Sequence, residues 1–322
     1  MWCREMGRPT PADYLNRALA IIEARALRSG EVDWKSVRAK TSELAADAKN
    51  SADTYHAINF ALEQLKDQHS FLVGRNGQGT KTQTKADSNV DLPKRLHRPD
   101  IIRKDAQEFG FLLVEQSGAS SQSTKAQSYA RRLQERISNA LISKPSGWIV
   151  DLRGNGGGNM WPMIVGVGPV LGSGTLGYFQ YSNVAVPWFY SNGQSGVDNA
   201  RGRCVNFKVS DSLPDCAQNV SVAILIDKRT ASSGEAVAIS FRGRSHSRFF
   251  GEHTCGLSTS NESFRLSDGA TLYVTTSVEA DRNHNIYDRG IAPDNPVKQG
   301  NIPLGDVNDP VIQRALEWLA KC

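Results

Sequence analysis

Ser232 lies at a position where a serine can act as a nucleophile. The apolar run Ser221–Ile226 (SVAILI) before it is typical of a buried strand, and residues 234–239 (GEAVAI) begin a predicted helix. A serine in the turn between them lies at the helix N-terminus, where free backbone N–H groups and the helix dipole stabilise a developing oxyanion. Serine is also a common helix N-cap, so the turn alone leaves a capping role open for Ser232 or Ser233.

A glycine-rich segment, residues 151–159 (DLRGNGGGN), follows another apolar strand. Consecutive glycines accept positive φ angles and let backbone amides approach a ligand closely. The segment lacks the Lys-Ser/Thr end of a phosphate loop, and Asn159 stands where a dinucleotide fingerprint requires its third glycine. An oxyanion hole is therefore the functional interpretation, and a tight turn after a strand is the structural alternative.

A serine nucleophile needs a general base, and histidine is the usual one because it is partly neutral near pH 7. His69 lies in the segment Asp67-Gln68-His69-Ser70, after a predicted helix. His56, in a helix, His97, in a basic loop, and His246, in a short turn, are better explained as structural or solvated residues. His253 and His284 stay open as alternatives to His69.

The elements around these residues change character along the chain. Three amphipathic helices are predicted within residues 10–66, and a stretch rich in Gly, Lys, Thr and Ser follows from residue 73 to 94. Beyond Gly110 the pattern predicts strands and helices in alternation, which is the order of parallel crossover units. The predicted strands cover residues 111–114, 147–152, 185–189, 220–226, 248–251 and 271–278, and the predicted helices cover residues 126–141, 233–242 and 310–319.

We therefore predict an α/β (α+β) fold with three parts. Residues 1–70 form an N-terminal helical bundle, residues 71–109 form a polar loop or cap segment, and residues 110–322 form an α/β core with a mixed sheet. A hydrophobic fraction of 39% in 322 residues is sufficient for a substantial core.

Composition excludes several other classes. The densest basic stretch, residues 94–104 (KRLHRPDIIRK), carries no aromatic stacking residue, so we interpret it as a solvated loop and predict no nucleic-acid partner. No window approaches the roughly 18 apolar residues of a membrane span, and the N-terminus lacks a secretory hydrophobic segment. Localisation stays open between the cytoplasm and the cell envelope, periplasm or exterior, where an export signal would have been removed. The sequence does not indicate an oligomeric state.

The cysteines favour neither a zinc site nor a disulfide framework. They are five in number and show no CxxC spacing, so we predict no metal. Cys204 and Cys216 are the one pair close enough in sequence to close a small loop in an oxidising compartment. Cys255 has no strand and helix around it of the kind that a nucleophile requires, and we interpret it as a small buried or loop residue.

Four segments together resemble, in order and spacing, the C-terminal processing, or tail-specific, serine peptidases. They are DLRGNGGG at 151–158, TASSGE at 230–235, GEHTCG at 251–256 and GIAPD at 290–294, and the resemblance extends from Leu65 to Val297. It implies a crotonase/ClpP-like peptidase core with Ser232 as nucleophile. It also implies an oxyanion hole formed by the backbone N–H of Ser233 and that of Gly157 or Gly158.

One departure from that family selects a branch of it. Members with a Ser-Lys dyad carry lysine where this chain has Leu257. The related branch that includes tricorn-like peptidases and the nisin resistance protein uses a histidine from a D-x-H-S/T motif, which Asp67-Gln68-His69-Ser70 matches. The resemblance therefore implies His69 as the base, no PDZ domain, and Ser70 or Asp288 as the group that orients His69.

The activity implied by this resemblance is hydrolysis of peptide bonds in peptides or proteins through a Ser-His acyl-enzyme. No metal or organic cofactor is needed, and substrates are expected to bind in extended form beside the strand at residues 271–278. Two alternatives stay open. One is a catalytically weak or inactive peptide-binding member of the same fold, and the other is an esterase or amidase that acts on small molecules.

Overall fold

The computed structural model describes residues 9–75, 79–80, 100–217, 219–306 and 308–322. His97 and the greater part of the predicted polar segment at residues 73–94 lie outside the described residues. The chain divides into two compact units. Unit 1 consists of Met1–Asp87 and Thr259–Ser277, and unit 2 consists of Ser88–Ser258 and Val278–Cys322.

The helices of unit 1 are α1 (Pro11–Arg25), α2 (Trp34–Leu44) and α3 (Tyr55–Gln64), which confirms the three predicted helices. Helix α1 begins where the sequence predicts, because the Thr10 hydroxyl accepts a hydrogen bond from the Asp13 N–H at 3.1 Å. The apolar faces of α1 and α3 are buried in one core together with Leu72 and Leu272. Burial of these faces, rather than helix propensity, stabilises helices of this length.

The strands of unit 1 are β1 (Phe71–Val73), β2 (Gly79–Thr80), β12 (Thr259–Arg265) and the first part of β13 (Thr271–Asp281). Strand β1 pairs antiparallel with β13, with Phe71 opposite Tyr273, and β12 also pairs with β13. The pairing with β1 covers residues 271–273 of β13. Binding of an extended substrate beside residues 271–278 stays a prediction.

Unit 2 contains a sheet whose strands, in spatial order and counting described residues only, are β14, β11, β10, β5, β4 and β3. Their bounds are β3 (Ile101–Lys104), β4 (Gln107–Leu113), β5 (Gly147–Asp151), β10 (Ser221–Ile226), β11 (Ser247–Gly251) and β14 (Asn295–Pro296). All pairs are parallel except β3 with β4. Parallel strands need crossover connections, and helices α4 (Thr124–Leu141) and α6 (Ser233–Phe241) lie within two of these.

Both faces of this sheet are buried, which explains why its strands read as continuous apolar runs. Along β10, Val222, Ile224 and Ile226 belong to one core, which includes residues of α4, α5 (Met160–Leu171) and α6. Ala223 and Leu225 belong to a second core together with residues of α7 (Pro310–Leu319). Because β5 and β10 are parallel neighbours, with Asp151 opposite Leu225, the segments after them leave the same edge of the sheet.

The remaining strands of unit 2 form antiparallel pairs. Strands β6 (Gly174–Gln180), β7 (Ala185–Ser191), β8 (Gln194–Asn199) and β9 (Gly202–Lys208) pair in sequence order, and the last residues of β13 pair with β6. Together with the parallel sheet, they confirm the predicted mixed α/β core.

The structure differs from the sequence predictions in three local features. Ile101–Lys104 is strand β3 and not a solvated loop, because Ile102 is buried and the segment pairs with β4. Helix α5 was not predicted, because its residues are apolar on all sides and show no helical period.

Cys204 and Cys216 are free thiols, so the possible disulfide between them is absent. Within the described ranges, no helix has the length and apolar character needed to cross a membrane.

Candidate active site

The turn that carries Ser232 is held to the glycine-rich segment by hydrogen bonds. The Asp227 carboxylate, just after β10, accepts from the backbone N–H groups of Thr230 at 3.0 Å and of Gly154 at 2.9 Å. The Ala231 N–H donates to the Asn155 carbonyl at 2.9 Å. The two segments that the sequence associated with chemistry therefore meet at one edge of the parallel sheet of unit 2.

Ser232 has a backbone conformation that serine rarely adopts. Its φ is 52° and its ψ is −124°, whereas the N-cap residues Thr10 and Ser123 of α1 and α4 have extended conformations with φ of −64° and −87°. Such a conformation costs on the order of 1–3 kcal/mol and is concentrated at functional sites, as in the strained strand-to-helix turn that presents a hydrolase nucleophile. This geometry favours the catalytic interpretation of Ser232 over a simple capping role.

Two glycines of residues 151–159 lie against this turn and its surroundings, and both have positive φ. A Cβ on Gly157 would lie 2.8 Å from the Ala231 carbonyl oxygen and 2.9 Å from the Ser232 Cβ. A Cβ on Gly158 would lie 2.3 Å from the Ser117 carbonyl oxygen. Glycine is therefore required at both positions by close approach and by backbone conformation.

The backbone N–H groups distinguish Gly157 from Gly158. The Gly157 N–H donates to the Asn155 side-chain oxygen at 3.0 Å, so it is already occupied. The N–H groups of Gly158 and Ser233 have no acceptor within the part of the chain that the structure describes. The Ser233 hydroxyl donates to the Gly158 carbonyl at 2.8 Å, which joins the two residues. Of the two glycines, Gly158 is therefore the one whose N–H has no acceptor among the described residues.

A buried carboxylate, Glu235, fixes the turn from the helix side. Its Oε2 accepts from the Ser232 N–H at 3.0 Å and from the Leu257 N–H at 2.7 Å. Its Oε1 accepts from the Gly256 N–H at 3.0 Å and from the hydroxyls of Thr254 and Ser258. Burial raises the pKa of Glu235, and the hydrogen bonds from Thr254 and from the three backbone N–H groups oppose that shift. Leu257 occupies the position of the lysine in Ser-Lys enzymes, and it contributes its backbone N–H to the hydrogen bonds around Glu235.

A second buried carboxyl group, Glu279 on β13, has a different environment. It is 2% exposed, and its Oε2 has no hydrogen-bond partner among the described residues. Burial, with a further contribution from the charge of Glu235, raises the pKa of Glu279 well above its ordinary value. Both effects favour the protonated, neutral form of Glu279.

The Asp-Leu-Arg part of the glycine-rich segment is structural. Arg153 is 1% exposed, and its guanidinium donates to both carboxylate oxygens of Asp151, at 2.9 and 2.8 Å, and to Asp309 at 3.0 Å. Asp309 also caps α7 by accepting from the Val311 N–H at 3.0 Å. Fully buried charges are tolerated when they are paired and hydrogen-bonded in this way, and the pairing anchors the beginning of the segment.

His69 lies in unit 1, where three residues hold it. The Asp67 carboxylate accepts from its backbone N–H at 3.0 Å, and the Asn261 side chain donates to its carbonyl at 2.8 Å. The ring Nδ1 lies 2.7 Å from the Thr259 hydroxyl oxygen. His69 is 7% exposed, and this burial lowers its pKa to about 4, against a smaller opposing effect of Asp67. Its ring is therefore neutral at physiological pH, as a general base must be.

The two residues that the sequence suggested as supports of His69 have other surroundings. The Ser70 hydroxyl donates to Asp67 and accepts from the Thr275 N–H at 2.9 Å. Asp288 lies in unit 2 and is exposed. Thr259 was missed, because no spacing rule connects it with a histidine 190 residues away.

Three of the four other described histidines have surroundings that suit structural or solvated roles. The His284 ring stacks on Tyr178, with 3.9 Å between the ring centroids. His253 is exposed, and its Nδ1 lies 2.9 Å from the Thr254 carbonyl oxygen. The His56 Nε2 lies 2.9 Å from the Leu44 carbonyl oxygen.

A family model described as "Peptidase family S41" matches residues 111–297. The chain belongs to peptidase family S41. The matched range contains the turn with Ser232, the glycine-rich segment and Glu235. Among curated proteins, the nisin-resistance protein of Lactococcus lactis subsp. lactis is 31% identical over 288 residues, which cover 89% of this chain and 83% of that protein. The carboxyl-terminal-processing protease of Synechocystis sp. is 28% identical over 177 residues, which cover 54% of this chain and 36% of that protein.

Solved structures share the fold over nearly the whole chain. A lipoprotein from Streptococcus agalactiae superposes with a TM-score of 0.72 at 23% identity and covers 99% of both chains. The photosystem II D1 C-terminal processing protease superposes with a TM-score of 0.56 at 14% identity, covering 94% of this chain and 96% of that one. At these identities the likeness establishes the fold and not the details of the site.

Membership in the S41 family confirms the predicted class of activity. This protein is a serine-type peptidase that acts on peptide or protein substrates. The two alternatives, a peptide-binding protein without activity and a small-molecule esterase or amidase, are not favoured.

Proposed function

We propose that Ser232 is the nucleophile and His69 the general base of this S41 peptidase. The observation that carries the proposal is the strained backbone of Ser232, at a strand-to-helix turn beside two N–H groups that have no acceptor among the described residues. Strain of this kind is retained where it presents a reactive side chain. The neutral, buried ring of His69 supplies the protonation state that the base requires.

The proposed reaction has the two halves of an acyl-enzyme mechanism. His69 takes the Ser232 hydroxyl proton as the oxygen attacks a peptide carbonyl, and the carbonyl oxygen becomes an oxyanion. The N–H groups of Ser233 and Gly158 donate to this oxyanion, while the Gly157 N–H keeps the loop in shape through Asn155. His69 then protonates the leaving amine, and water repeats the sequence on the acyl-enzyme.

Adjacent serines provide the test of the nucleophile. We expect a fluorophosphonate probe to label the wild type and Ser233→Ala, because the latter keeps both its backbone N–H and Ser232. Ser232→Ala should not be labelled, and its peptide hydrolysis should fall by at least about 10³-fold. Labelling of Ser232→Ala, or retention of most of its activity, would refute the assignment.

Histidine substitutions test the base in the same way. His69→Gln should lose about as much activity as Ser232→Ala, because members of one catalytic unit fail together. His253→Gln and His284→Gln are the matched controls and should stay within a few-fold of the wild type. If either control lost activity while His69→Gln kept it, the base would be reassigned.

A peptide-library experiment can determine which peptide sequences the enzyme cleaves. A cleavage map of peptides with free and amidated C-termini would show whether the enzyme requires a free C-terminus. Nisin belongs in the panel, because one relative is a nisin-resistance protein. Cleavage of library peptides but not of nisin would separate this enzyme from that relative in specificity while keeping the peptidase reaction.

A further inference from the structure

Strand β12 of unit 1 supplies two neighbours of His69 from one face. Thr259 and Asn261 are two residues apart in this strand, so their side chains project to the same side. The Thr259 hydroxyl oxygen lies 2.7 Å from the ring Nδ1, and the Asn261 amide donates to the His69 carbonyl at 2.8 Å. Asn261 is itself fixed, because its side-chain oxygen accepts from the Thr275 hydroxyl at 2.9 Å.

The chain around His69 is equally constrained. Gln68, just before it, has a φ of 57°, and the Asp67 carboxylate accepts from the backbone N–H groups of both His69 and Ser70. The turn therefore presents the His69 side chain in one direction from a fixed backbone. What remains to be set is the rotation of the ring and the nitrogen that carries the proton.

We propose that Thr259 is a positioning residue that accepts a hydrogen bond from the His69 Nδ1–H and thereby leaves Nε2 as the basic nitrogen. The proposal rests on the function assigned to His69 above. A neutral imidazole has one N–H and one lone pair, so an acceptor at Nδ1 places the lone pair on Nε2. Nothing in the sequence motifs assigns a role to Thr259.

A threonine differs from the carboxylate that orients histidine in a Ser-His-Asp triad. In the proposed hydrogen bond it accepts from Nδ1–H and fixes the ring, but it does not bring a negative charge to the imidazolium that forms during reaction. A neutral partner also agrees with the low pKa of this buried histidine. Loss of Thr259 should therefore cost less than loss of the triad carboxylate, which lowers kcat about 10⁴-fold.

Two variants of Thr259 and one neighbour test the activity. Thr259→Val keeps the shape without the hydroxyl, and we expect kcat to fall about 10- to 100-fold with little change in KM, by analogy with partners that orient metal-bound histidines. Thr259→Ser restores the hydroxyl and should recover most of kcat. Ser260→Ala removes a hydroxyl from the opposite face of β12 and should stay within a few-fold of the wild type.

Nitrogen NMR of the His69 ring tests the tautomer directly and needs no turnover. In the wild type near neutral pH, Nδ1 should carry the proton and Nε2 should have the shift of an unprotonated nitrogen. In Thr259→Val, the proton should move to Nε2 in a substantial fraction of molecules. A wild-type ring protonated on Nε2, or an unchanged kcat in Thr259→Val, would overturn the role of Thr259.

The two readouts separate this proposal from the one on which it rests. If the wild type carries the proton on Nδ1 but His69→Gln remains active, the assignment of the base fails and the Thr259 hydrogen bond stands. If His69→Gln is inactive and the proton is on Nε2, the base stands and Thr259 is refuted. Should Thr259→Val fail to fold, the wild-type tautomer and the Thr259→Ser activity still decide the question.

Discussion

The two buried glutamates of unit 2 allow a sharp paired prediction. Glu235→Gln and Glu279→Gln are the same chemical change at two fully buried positions, each converting a carboxyl group into an amide of nearly equal size. Glu235 accepts hydrogen bonds from five donors, whereas the Oε2 of Glu279 has no partner among the described residues. We expect the two substitutions to differ strongly in their effect on the free energy of unfolding.

The cost at Glu235 follows from its donors. A glutamine amide has one oxygen, and it is best placed where Oε2 now accepts from Ser232 and Leu257. Its NH2 then faces the Gly256 N–H, which loses its acceptor, while the hydroxyls of Thr254 and Ser258 can rotate. One unsatisfied buried donor costs about 1–3 kcal/mol, and replacing charge-assisted bonds by neutral ones costs about 1 kcal/mol more for each of two. After relief of charge desolvation, we expect a net loss of about 2–4 kcal/mol.

Glu279→Gln, in contrast, should leave the free energy of unfolding unchanged or increase it. Burial and the charge of Glu235 raise the pKa of Glu279 well above its ordinary value of 4.5, so the folded protein binds a proton that the unfolded chain has released. Such a group makes the folded state less stable as pH rises from the unfolded pKa towards the folded pKa, by about 1.4 kcal/mol per pH unit. Glu279→Gln removes this dependence. It should be neutral or stabilising near pH 7, and its advantage over the wild type should not shrink as pH rises.

Denaturant unfolding of the wild type and both variants at several pH values measures these differences. Tryptophan fluorescence is a suitable probe, because Trp148 and Trp188 are buried in the core of unit 2. Peptide hydrolysis should also fall in Glu235→Gln, because Glu235 holds the Ser232 backbone. A loss of stability in Glu279→Gln as large as that in Glu235→Gln would refute the distinction between a bonded carboxylate and a neutral acid.

Three further predictions test other parts of the protein. Gly157→Ala should reduce hydrolysis at least about 10²-fold, because its Cβ would lie 2.8 Å from the Ala231 carbonyl, whereas Gly156→Ala should keep activity because its Cβ meets only a side-chain end. The acidic limb of the kcat/KM profile should lie near pH 4, where His69 becomes protonated, and a limb above pH 6 would contradict the lowered pKa of His69. Asp268→Asn should lower the stability of unit 1 by about 1–3 kcal/mol in thermal unfolding, because Asp268 accepts from two tyrosine hydroxyls, and an unchanged midpoint would contradict this.

The sequence predicted those elements whose pattern is local. The apolar run before Ser232 is strand β10, and the helix predicted at 233–242 is observed as Ser233–Phe241. Helix α5 escaped prediction, because it is apolar on all sides and contains glycines that only packing explains. A Cβ on Gly166 would lie 2.5 Å from a Leu133 methyl carbon, and one on Gly168 would overlap the Tyr190 ring. A close approach between distant segments leaves no periodic signal.

In the candidate site, too, the sequence predicted the residues, whereas contacts between distant segments were visible only in the structure. The order and spacing of the motifs indicated a serine peptidase, with Ser232, Ser233, Gly157, Gly158 and His69 as its functional residues. The sequence did not distinguish the Gly157 N–H from that of Gly158, because this depends on which amide the Asn155 side chain already occupies. The pairing of His69 with Ser232 remains a prediction for the experiments above.

The sequence by itself determined the family, the kind of reaction and the candidate residues, because residue types and their order along the chain are sufficient to specify reactive groups. Only the tertiary structure decided the strained backbone of Ser232, the contact of Thr259 with His69 and the contrast between Glu235 and Glu279. These properties depend on burial and on hydrogen bonds between residues far apart in sequence. Burial and long-range hydrogen bonds arise only when the chain folds, and they determine protonation states that no local sequence pattern encodes.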